Sequence, residues 1–160
     1  MNNKTLDYYN QNAAAFIAGT VSVDFKETQD KFIDALCGKK ILDFGCGSGR
    51  DTKYFIEAGL DVVATDGSEE MCKCASEYTG IHVQKMLFQE LDENERYNGI
   101  WACSSILHLP ETELKKFLLK WLKHCALMES FTHLLNMEYL KEKKMEDILR
   151  ISHSRSLTSL

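Results

Sequence analysis

A single proline, Pro110, interrupts the 160 residues of this chain. With no run rich in proline or glycine, it cannot be a collagen-like, linker-rich or low-complexity protein. No apolar run approaches the ~20 residues that a membrane-spanning helix needs, and the opening Met1-Asn2-Asn3-Lys4 has no apolar signal segment. No membrane association and a cytoplasmic location are therefore expected. Positive charge is also in short supply: 19 Lys and Arg face 24 Asp and Glu, a net charge of -5. The basic residues are scattered, so no positive face forms to neutralise phosphates, which argues against nucleic acid as substrate or partner. The six cysteines (37, 46, 72, 74, 103, 125) lack the paired spacing of a disulfide framework or a zinc site. They read as reduced, mostly buried small apolar residues. Cys72 and Cys74, one residue apart on an expected helix, point to different faces, so no metal site is expected.

What is present is a globular balance, 44% hydrophobic and 27% charged, in a length that suits one domain. Phe32, Ile33, Leu36 and Cys37 recur at helical spacing over 28–37, with Gly38 as a stop signal. Lys40 to Phe44 is a short β-favouring run that ends at a glycine cluster. Asp51 to Ala58 then puts Tyr54, Phe55 and Ala58 on one helical face. Leu60 to Thr65 is the next apolar strand, and Ser68 is placed to cap a helix carrying Met71, Cys72 and Ala75. Ile81 to Phe88 reads as a third strand and Gly99 to Cys103 as a fourth. An amphipathic helix over 111–125 follows Pro110. Alternating strands and helices at this spacing imply parallel pairing with right-handed crossovers, hence a three-layer α/β sheet. In such a sheet ligands sit at the carboxyl ends of the strands.

The stretch with the sharpest chemistry is ILDFGCGSGRDT, residues 41–52. Gly45, Gly47 and Gly49 lie between a strand and a helix, where missing Cβ atoms let the backbone turn sharply and approach a ligand. Arg50 stands where a dinucleotide fingerprint needs its last glycine, which disfavours a pyrophosphate. The next strand ends in Asp66, about 20 residues beyond the turn, where a carboxylate can accept both hydrogen bonds of a ribose diol. An adenosine cofactor without phosphates fits both facts. Asp43, just before the glycines, either meets a cationic group or caps the loop backbone.

These residues, with VVATDGSEEM (62–71) and YNGIWACSSILHLP (97–110), resemble the cofactor motifs of class I S-adenosylmethionine-dependent methyltransferases. Small bacterial members of the tellurite-resistance and ubiquinone/menaquinone-biosynthesis type are the most similar. The resemblance implies a Rossmann-like sandwich whose parallel sheet has the order 3-2-1-4, S-adenosylmethionine as cofactor and a small molecule as methyl acceptor. By it, Asp43, Gly45 and Gly47 hold the methionine end, Asp66 takes the ribose hydroxyls, Gly67, Ser68 and Met71 lie on the adenine side, and Cys46, Arg50 and Cys103 are near the cofactor, the alternative for Arg50 being a pairing with surface carboxylates. Met86, Leu87 and Phe88 surround the adenine by the same resemblance. Where many relatives carry an acid for the adenine amine this chain has Leu87, leaving that contact to backbone or to Gln89. YYNQNAAAF resembles the lid helix of the family, with Tyr9 and Asn12 near the cofactor. The alternative is an ordinary amphipathic helix with Tyr8 and Phe16 packed inward.

Methyl transfer is an in-line displacement at a sulfonium carbon, so the protein mainly aligns two reactants and excludes water. Cys103, Ser104, Ser105 and His108 follow the fourth strand, on the side from which an acceptor approaches. His108 is the one candidate general base that titrates near neutrality, its other role being a helix start or packing. His82 reads as structural or exposed, Trp101 as core. The other function classes are a non-catalytic S-adenosylmethionine-binding domain or relic, and a nucleotide-dependent oxidoreductase, which Arg50 disfavours. The oligomeric state is not legible.

From Leu127 the chain changes character. Residues 128–160 contain neither glycine nor proline, and Met-Glu recurs at 128/129, 137/138 and 145/146. The expectation is a methyltransferase domain at 1–127 that lacks its usual C-terminal strands, followed by an atypical tail at 128–160, helical or disordered, produced by a change of reading frame. Shifting the back-translated tail by one base turns each Met-Glu into a residue followed by glycine, which restores a glycine turn. A fourth strand left with an open edge would favour aggregation and weaken activity. A short natural variant whose terminal helix covers that edge is the alternative.

Overall fold

The computed structural model describes residues 3–91, 97–106, 109–110, 112–114 and 116. The elements run α1 (Asn3–Thr20), α2 (Lys26–Asp34), β1 (Lys40–Phe44), α3 (Arg50–Glu57), β2 (Asp61–Asp66), α4 (Glu69–Thr79), β3 (Gln84–Lys85) and β4 (Gly99–Trp101). The four strands form one parallel sheet in the order β3-β2-β1-β4, a Rossmann-like α/β fold. His108, Trp121, Cys125 and the whole tail 128–160 lie outside the described residues. So do most of the expected 111–125 helix and the question of the later strands.

β1 is the centre because Ile41, Leu42, Asp43 and Phe44 are all buried, which requires cover on both faces of the sheet. Its register places Asp43 beside Ala64 of β2 and Trp101 of β4. A large core gathers Ile41, Leu42, Phe44 and Ile100 with Phe32 of α2 and Phe55 of α3. In it the rings of Phe32 and Phe55 lie 5.2 Å apart, and those of Phe32 and Trp101 5.0 Å. A smaller cluster of Ala64, Cys72, Ala75 and Val83 seats α4 on β2. α1 lies against α4, where the Ser68 hydroxyl donates to Asn10 Oδ1 at 2.7 Å.

Four expected boundaries move, each for a local reason. The third strand shrinks from 81–88 to two residues because the Val83 N–H is taken by Ser76 Oγ of α4 at 3.0 Å, leaving Thr65 and Asp66 of β2 to pair with Gln84 and Lys85. The segment beyond closes into a single 3-10 turn, Phe88–Glu90, where the Glu90 carboxylate accepts from Leu87 N–H. β4 stops at Trp101 because Ser104 takes a left-handed φ of 58°, which ends extended backbone. α2 ends at Asp34 rather than Cys37, so Cys37 is exposed and is not the buried thiol expected of it. Gly38 is no helix stop. A Cβ there would stand 2.5 Å from the Asn98 side chain, which accepts from Lys40 N–H at 3.0 Å and aligns β1 with the approach to β4.

Among the described residues no helix is long and apolar enough to cross a membrane.

Candidate functional site

A cleft opens at the carboxyl ends of β1 and β2, lined by the glycine turn, the start of α3, the end of β2 and one face of α1. The turn is clamped to β2 because Gly45 N–H and Cys46 N–H both donate to Thr65 O, at 2.8 and 2.9 Å. Gly45 has φ 80°, and a Cβ on it would lie 2.4 Å from Ser105 Cβ, so the close approach of the loop after β4 requires glycine here. Ser105 Oγ donates to Phe44 O at 2.6 Å and holds that loop over the end of β1.

Asp66 ends β2 half-buried, with each carboxylate oxygen oriented by a backbone donor: Gly47 N–H to Oδ2 at 3.0 Å and Ser68 N–H to Oδ1 at 2.8 Å. A carboxylate is acceptor-only and has the two oxygens that a pair of neighbouring hydroxyls requires. Beside it, Met71, Met86, Leu87 and Phe88 form an apolar wall, the Phe88 ring backed by Phe44 at 4.6 Å. Gly67 lines the same end.

The other end is charged. Asp43 is 1% exposed and accepts from Thr52 Oγ1 at 2.5 Å. Burial first, and the neighbouring Asp51 carboxylate second, push its carboxyl up to about 8. Arg50 grips Asp51 with two bonds, Nε to Oδ1 at 2.8 Å and an Nη to Oδ2 at 3.0 Å, and its guanidinium lies 4.9 Å over the Phe25 ring. Burial works against the Arg50 charge, but the bond and the charge of Asp51 outweigh it and raise its pKa. Asp51 also accepts from Gln29 Nε2 at 2.7 Å and Trp101 Nε1 at 2.9 Å, so α2, α3 and β4 meet on one buried carboxylate. Cys46 and Cys103 line the cleft, and burial pushes both thiols up, Cys103 to about 11, so neither is a ready nucleophile.

Of the residues singled out from the sequence, Asp43, Gly45, Cys46, Gly47, Arg50, Asp66, Gly67, Met71, Met86, Leu87, Phe88 and Cys103 all line this cleft. Ser68 stands behind it: 1% exposed, its hydroxyl accepts from Met71 N–H at 3.2 Å as the cap of α4. On α1, Tyr9 lines the cleft with Phe16 and Thr20, and burial followed by the Asp66 charge raises its phenol pKa. The Tyr9 and Phe16 rings meet edge to face at 5.2 Å, seven residues apart on one helical stripe. Tyr8, one residue off that stripe, is 58% exposed and not packed inward. Asn12 sits at a kink of φ −116° and donates to Tyr8 O, outside the cleft lining. Gln89 donates to Glu113 and His82 is exposed. Asp51 and Thr52 were missed. Asp51 precedes Phe55 by four residues, which places it on the buried face of α3 and was the available signal.

A family model described as "Methyltransferase domain" matches residues 41–126. Phosphoethanolamine N-methyltransferase 1 of Zea mays is 31% identical over 120 residues, 66% of this chain and 23% of that protein. The ubiquinone biosynthesis O-methyltransferase of Pasteurella multocida is 28% identical over 94 residues, 49% of this chain and 39% of that protein. The chain thus spans well under half the length of these curated relatives. Among solved structures, the magnesium protoporphyrin IX methyltransferase of Synechocystis with bound S-adenosylmethionine has a TM-score of 0.60 at 19% identity, over 79% of this chain and 73% of that one.

Proposed function

Since the chain belongs to the methyltransferase domain family of class I, we propose that it binds S-adenosylmethionine and transfers its methyl group to a small molecule. On this reading the cofactor-binding unit is residues 1–127. One observation carries it: the glycine turn, Asp66 and the apolar wall around Phe88 face a single cleft, with Gly47 N–H bonded to Asp66. The residues present fit the cofactor. Asp66 offers two oriented carboxylate oxygens toward the ribose hydroxyls, Met71, Met86, Leu87 and Phe88 take the flat adenine, and Asp43, Gly45 and Gly47 line the end of the cleft left for the methionine part. No basic cradle for phosphates stands among the cleft residues, where Arg50, the one cation, is spent on Asp51. That favours this cofactor over a dinucleotide.

The bound cofactor supplies an electrophilic methyl carbon. The chain's own work is to hold it, to cover it with Tyr9 and Phe16, and to admit an acceptor past Cys103 and Ser104. His108 is the proposed base where the acceptor needs to lose a proton. The related enzymes bear names of both N- and O-methyltransferases, which supports a small-molecule acceptor without fixing the accepting atom. Calorimetric titration with S-adenosylhomocysteine and with NAD tests the reading: the first binds and raises the melting temperature, the second does neither. Binding of NAD alone would overturn it.

A further inference from the structure

Asp43 and Thr52 form a buried pair beneath the charged end of the cleft. Thr52 is 0% exposed on the first turn of α3, and its hydroxyl donates to Asp43 Oδ2 at 2.5 Å. No second hydrogen-bond donor to Asp43 is seen among the described residues. The charged groups that bear on Asp43 come from two elements, Asp51 and Arg50 of α3 and Asp66 of β2, and the Cys46 and Cys103 thiols of the two adjoining loops are themselves pushed up, by burial first and with the Asp43 charge contributing. Arg50 is held by Asp51, so the cation nearest to hand is already committed. A carboxyl so placed has a reason to keep its proton until a cationic ligand arrives, and one donor that favours its ionised form.

Resting on the reading above, we propose that Thr52 is a positioning residue for the cofactor: its hydroxyl holds Asp43 in the orientation and the ionised form that meet the ammonium group of the methionine end, so that binding releases a proton from Asp43. Burial keeps the empty site's Asp43 protonated up to about pH 8, Thr52 alone among the groups of α3 opposing this by a hydrogen bond. Affinity for a ligand bearing the ammonium group then rises about tenfold per pH unit below that value and levels above it. Removal of the hydroxyl leaves the ionised form without its donor, and the levelling point moves to higher pH.

The test uses S-adenosylhomocysteine, which carries the ammonium group, titrated into the whole chain by calorimetry between pH 6 and 9. Two buffers of different ionisation enthalpy report the proton count. The wild type is expected to release close to one proton at pH 7. Thr52→Val is expected to bind about tenfold more weakly at pH 7 and to recover as the pH rises, and Thr52→Ser to restore the wild-type profile. Asp43→Asn should bind weakly with no pH dependence and no proton release. A merely structural threonine would lower the melting temperature of Thr52→Val and leave the pH profile where it was, which overturns the proposal. Should that variant fail to fold, the proton count of the wild type decides, and a count of zero overturns it. Failure of the wild type to bind the ligand at any pH sinks the cofactor assignment instead.

Discussion

At the scale of single residues, acidic side chains divide the cleft by environment. Asp66 is half-buried and ordered by two backbone N–H groups, an arrangement that fits the ribose contact proposed for it. Asp66→Ala is expected to weaken S-adenosylhomocysteine by about 1–3 kcal/mol, the range for hydrogen bonds to a charged acceptor. Calorimetry reads this, and an unchanged affinity would remove Asp66 from the site. Asp43 is buried and raised to about 8, against roughly 3.9 for an unfolded carboxyl. Its contribution to stability is full below the unfolded value and is lost as pH climbs towards 8, because the unfolded chain sheds the proton first. The fall in stability between pH 5 and 8 should be shallower in Asp43→Asn by an amount on the order of 3 kcal/mol, measured by urea titration at each pH. Thr65 is the converse case, a hydroxyl at 0% exposure with no partner among the described residues. Thr65→Val should raise stability by about 1 kcal/mol, since it removes a buried polar atom at nearly constant shape. A loss of stability would show that the hydroxyl is satisfied in solution.

Among the elements, the turn between β1 and α3 is where local geometry and site coincide. Gly49 caps α3 at φ 78°, and Gly45 admits Ser105 at a distance no Cβ tolerates. Gly45→Ala meets two penalties together, a left-handed backbone and a 2.4 Å contact with Ser105 Cβ. A loss of roughly 2–4 kcal/mol of stability is expected from these two, with ligand affinity lowered further because the loop after β4 is displaced. Thermal melts with and without S-adenosylhomocysteine separate the two effects. Equal stability of variant and wild type would mean that the turn relaxes freely.

The whole molecule is organised around β1, whose two buried faces bind the site to the core. Phe32 of α2 lies at 0% exposure between Phe55 and Trp101, and Trp101 donates to Asp51 beside the cleft. Phe32→Ala should therefore cost about 3–5 kcal/mol and loosen the Arg50–Asp51 end of the cleft. Chemical denaturation gives the first quantity, and ligand affinity of the folded fraction the second. Parallel pairing followed from the alternation of strands and helices, and the order β3-β2-β1-β4 from the resemblance that the motifs carry. Gly45 and Asp66 were legible as cleft-lining positions because each stands at a strand end, and the 86–88 segment was legible through the resemblance. Tertiary structure decided what depends on distant partners: Ser76 cuts β3 short, Asn98 explains Gly38, and Asn10 and Met71 occupy Ser68. It also joined Thr52 to Asp43 and gathered Gln29, Arg50 and Trp101 on Asp51, residues as far apart as 29 and 101. Periodicity and spacing record which face of its own element a residue occupies; only packing brings two elements close enough for a buried carboxyl to acquire its donors and its raised proton affinity.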